Sequence, residues 1–100
     1  MRVKLEPTGQ LLSGDNEVDI VIKMRALWVG PPAPPTALEK YMQMMVKHTK
    51  ELAEIVVEGG IVLSCNYKNF NPKLEGSTEE QCKNFLAELA KNKLITILEP

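Results

Sequence analysis

The residues able to do chemistry in this chain are few and scattered. His48 is the single histidine, so there is no histidine pair for a metal and no second imidazole for acid–base work. On a helical wheel it falls at the flank of an apolar stripe, near Met44 and Ile55. It reads as a packing residue with one wet edge, because a base needs a nucleophile or a substrate beside it. Cys65 and Cys82 stand far apart, with no paired motif. A reactive thiolate needs a cationic or helix-N-terminal setting, and Cys82 instead follows Glu79 and Glu80, whose charges oppose ionisation. Both thiols are expected to serve as small core hydrophobes.

The best small-ligand candidate is the loop Asn66-Tyr67-Lys68-Asn69-Phe70-Asn71, which gathers amides, two aromatics and a lysine at the end of an expected strand. Ligands of open α/β sheets favour that edge. The plainer reading, a turn-rich connection, weighs against it. No glycine-rich phosphate fingerprint is present: Gly59-Gly60 precedes a strand, and the next helix opens with acids that repel a phosphate. Asp15, Asn16, Glu17 and Asp19 cluster oxygens but lack the spacing and bidentate glutamate of a calcium loop. Arg2/Lys4 and Lys23/Arg25 alternate as though to share an open sheet face, yet bases elsewhere are mixed with acids, and nucleic acid is not an expected partner. The run Trp28-Val29-Gly30-Pro31-Pro32-Ala33-Pro34-Pro35 holds two overlapping Pro-x-x-Pro frames without the basic anchor that such ligands carry. A stiff extended connector with Trp28 packed on the prolines is the favoured reading, since proline fixes φ and removes a donor.

The elements that position these residues follow from periodicity. Arg2 to Glu6 alternates and suits an edge strand. Val18 to Val29 alternates over a longer span, with Val18, Ile20, Ile22, Met24, Ala26 and Trp28 on one face. Turn formers Thr8-Gly9 and Ser13-Gly14-Asp15-Asn16 lie between the two, predicting a long antiparallel hairpin. Thr36 to Gly59 is predicted as a helix, with Thr36 and Glu39 as a capping box and Gly59-Gly60 as the stop. Its apolar residues spread past the stripe Leu38, Met42, Met45, Thr49, Leu52 and Val56 through Met44 and Ile55, wider than one sheet contact needs. A strand over Ile61 to Tyr67 follows, then a helix opening at Ser77 with Glu80, burying Cys82, Phe85, Leu86 and Leu89. Asn92-Lys93 ends that helix, and Leu94 to Leu98 forms the last strand.

The expected fold is therefore α+β, a two-layer α/β sandwich in the order β-β-α-β-α-β, with a mixed sheet and both helices on one face. If Lys73-Leu74-Glu75 pairs back onto the third strand, the body becomes ferredoxin-like instead. One hundred residues suit a single domain: an N-terminal hairpin 1–29, a proline-rich connector 30–35 and an α-β-α-β body 36–100. Hydrophobic residues at 44% and charged residues at 25% are ordinary globular values, and a net charge of −1 provides no field to steer a polyanion. No apolar run reaches the length of a membrane span, and Met1 to Glu6 does not lead into the apolar core of a signal peptide, so a cytoplasmic protein with reduced thiols is expected.

No constellation for a reaction, cofactor or metal emerges, and the expected role is not enzymatic. The expected function is a protein-interaction or assembly module that self-associates through the first helix. Trp28, Pro31, Pro34, Met44, His48 and Ile55 are its candidate interface. The alternative is a small-ligand-binding or regulatory domain using residues 65–71, with Asn66, Tyr67, Lys68, Asn69 and Phe70 as the ligand loop.

Overall fold

The computed structural model describes residues 1–6, 8–28, 35–58 and 70–100, with 51–58 as backbone alone. In chain order its elements are β1 (Arg2–Leu5), β2 (Leu11–Ser13), α1 (Glu17–Ala26), α2 (Leu38–Glu58), α3 (Thr78–Lys91) and β3 (Ile95–Glu99). Thr8-Gly9 does turn the chain. Gly9 takes φ +74°, its N–H donates to the Leu5 carbonyl, and Leu5 N–H donates to the Gln10 carbonyl. A side chain there would be strained by the positive φ. The hairpin closed by this turn is short, β1 against β2, with Val3 opposite Leu12.

The second half of the expected hairpin is not a strand. Residues 17–26 form α1, and the physical reason lies at its ends. Asn16 caps the helix by accepting the Asp19 N–H, acids occupy the first turn, and Lys23 and Arg25 occupy the last, all as the helix dipole favours. Ile20 and Val21 are buried while Val18, Met24 and Leu27 pack partly on the core, a helical spacing that the alternation hid. Apolar residues lie nearly all round α1, so neither period dominates its sequence.

Strands β2, β1 and β3 form one antiparallel sheet in that order. β1, expected at an edge, is central: it pairs with β2 on one side and with the C-terminal β3 on the other. Residue pairing puts Val3, Leu12, Leu5 and Ile95 on the face toward the helices, where Val3, Leu12 and Ile95 are buried. Arg2, Lys4, Leu11, Ser13 and Thr96 share the opposite face. β3 begins one residue later than the expected Leu94 and ends at Glu99.

α2 starts at Leu38, where Tyr41 N–H donates to the Ala37 carbonyl, and runs to Glu58. Glu39 does not reach back to Thr36 as a capping box; its carboxylate accepts the Thr78 hydroxyl at the head of α3. α3 matches expectation closely. Ser77 accepts the Glu80 N–H, and Cys82, Phe85, Leu86 and Leu89 are buried. Its end is a Schellman motif: Lys93 N–H donates to Ala90 O and Leu94 N–H to Leu89 O, with Leu94 and Leu89 both buried. That turn reverses the chain straight into β3.

α1 packs on α3 and β2, α2 on α3 and α1, and α3 on β3. The core between them contains Val3, Ile20, Val21, Tyr41, Met42, Phe70, Cys82, Phe85 and Leu86, all essentially inaccessible. The architecture is mixed α+β. Among the described residues the order is β-β-α-α-α-β rather than the expected alternation, and no parallel strand pair occurs. The strand expected over Ile61 to Tyr67 lies outside the described residues, as do Pro31, Pro32 and Pro34. Lys73 to Glu75 joins none of the described strands, and the third strand on which the ferredoxin-like alternative depends lies outside the described residues.

Candidate functional site

The side chains singled out for chemistry are held apart by the elements that carry them. Trp28, just past α1, is half-buried and sets its ring edge-on to His48 of α2, 5.7 Å between centroids at 72°. This contact joins the end of α1 to α2, and His48 is exposed; the stack of Trp28 on Pro31 to Pro34 lies outside the described residues. Met44, with Met45 and Val46, lies partly buried against the core, so the described half of α2 directs its spare apolar surface inward. Pro31, Pro34 and the Ile55 side chain, the rest of the expected interface, lie outside the described residues.

The expected ligand loop loses its one described member. Phe70 is 1% exposed and meets Phe85 edge-on at 5.6 Å, so it belongs to the core. Asn66, Tyr67, Lys68 and Asn69 lie outside the described residues. Cys82 is fully buried, and desolvation, helped by the charges of Glu39 and Glu17, pushes its thiol up to about 11. Such a group is protonated at neutral pH and is a poor nucleophile. Lys23 and Arg25 do not share the sheet face with Arg2 and Lys4; they donate to the carbonyls of Ser13 and Thr36. Asp15, Asn16 and Asp19 form a helix-capping network, with Asp15 N–H on the Asp19 carboxylate at 3.0 Å. Among the described residues no group of three metal-ligating side chains gathers.

What the fold does assemble lies at the C-terminal edge of the sheet. Glu6 N–H donates to Leu94 O, which sets the phase of the β1–β3 ladder. Hydrogen-bonded pairs alternate with open ones in an antiparallel ladder, so Thr96 bonds toward β1 while the N–H and C=O groups of Ile95 and Ile97 point away from it. Leu98 is the extra residue of a bulge, since Val3 faces Ile97 while Arg2 faces Glu99. Ile97 is 36% exposed and Leu98 45%. An open groove of about 440 Å³ runs beside this edge, lined by Glu6, Ala90, Lys93, Ile95, Thr96 and Ile97. Charged groups flank it: the Glu6 carboxylate accepts the Thr96 hydroxyl, and Glu99 pairs with Arg2 at 3.3 Å.

The opposite edge is guarded. The Lys23 ammonium donates to the Ser13 carbonyl at the end of β2, and α1 packs beside that strand. Compared with known protein families, curated proteins and solved structures, the chain finds no match. Its surface must therefore be read on its own terms. Sequence reasoning assigned no role to residues 93–99; the one signal there was a nearly unbroken apolar run, Leu94 to Leu98, in a strand at the end of the chain.

Proposed function

We propose that this chain is a non-enzymatic protein-interaction module that self-associates. The observation that carries the reading is the contrast between the two sheet edges, one capped by Lys23 and one presenting Ile97 and Leu98 beside outward backbone groups. Among the described residues no strand pairs with the outer edge of β3, and an exposed apolar edge with unpaired backbone is a template for another strand. Catalysis finds little support in the described side chains, since Cys82 is held as a buried thiol and His48 rests on Trp28. A free buried thiol suits a reducing, cytoplasmic setting. In this reading the helices form one layer and the sheet the other, which leaves the face of Lys4, Leu11 and Thr96 outside the sandwich. Self-association through α2 loses support where Met44 turns inward, and the small-ligand alternative loses Phe70.

Light scattering behind size exclusion, over a concentration series reaching roughly 1 mM, tests the reading. A mass that climbs toward twice that of the chain is expected. A constant monomer mass across the series removes it.

A further inference from the structure

We draw no further inference here: the strongest candidate, the outer edge of β3 with the groove beside Lys93, Thr96 and Ile97, belongs to the surface already described, and nothing in the structure shows what covers it.

Discussion

Tyr41 shows how one buried residue can set a pH limit. It sits on α2 at 2% exposure, and desolvation pushes its phenol up to about 12, against a smaller opposing pull from Arg25. The unfolded chain ionises this group near its ordinary value of 10.0, two pH units earlier. The folded state therefore holds the proton more tightly, and the stabilisation is complete below about pH 10. It is lost as pH rises toward 12, by an amount of the order of 2 kcal/mol. Denaturant unfolding at pH 9, 10, 11 and 12 should show that decline, and Tyr41→Phe should flatten it. An equal loss in Tyr41→Phe would assign the decline to other groups. Glu39 behaves in the opposite sense: the Thr78 hydroxyl lowers its carboxyl below 4.5, so that contact persists in mild acid and fades as pH falls through the lowered value.

At the scale of elements, the turn from α3 into β3 carries the one non-glycine residue with positive φ, Lys93 at +60°, among the described residues. It occupies the position of a Schellman motif where glycine is ordinarily favoured, because a Cβ crowds the backbone in the left-handed region. Lys93→Gly should relieve that strain and raise stability by about 0.5–1 kcal/mol, less the entropy that glycine returns to the unfolded chain. A denaturation midpoint that moves down instead would mean that the lysine side chain contributes more than its backbone costs. α1 teaches the complementary lesson. Its cap, its acidic first turn and its basic last turn were all present in the sequence, but an apolar residue at every second position from Val18 to Trp28, several of them β-branched, is the commoner signature of a strand. End chemistry prevailed over side-chain pattern.

For the whole molecule, Phe70 ties the segment leading into α3 to the core. Its ring is fully buried against Phe85, which itself lies on the face of α3 that meets the core. Phe70→Ala should cost roughly 3–5 kcal/mol through lost transfer energy and the cavity it leaves. That is a large share of the 5–15 kcal/mol that stabilises a domain of this size. Urea unfolding should show the loss; a change below about 1 kcal/mol would mean that neighbouring chain fills the space.

α3 was legible in full because its signals are local. Ser77 and Glu80 lie three residues apart, and Cys82, Phe85, Leu86 and Leu89 repeat at helical spacing, so a single helix satisfies them without reference to the rest of the chain. The Thr8-Gly9 turn, the body of α2 and a strand near the C-terminus were readable for the same reason. Which strand is central was not, because it depends on a pairing between Val3 and Ile97 that no short window of sequence contains. The candidate surface shares that origin. Whether Ile97 faces solvent or a neighbour follows from β3 closing on β1 at the edge of the sheet. Which backbone groups of β3 point outward rests on a ladder phase set by one bond, Glu6 N–H to Leu94 O. Local order came from caps and periodicity; strand order and the open edge came from long-range hydrogen bonds, which only the folded chain can make.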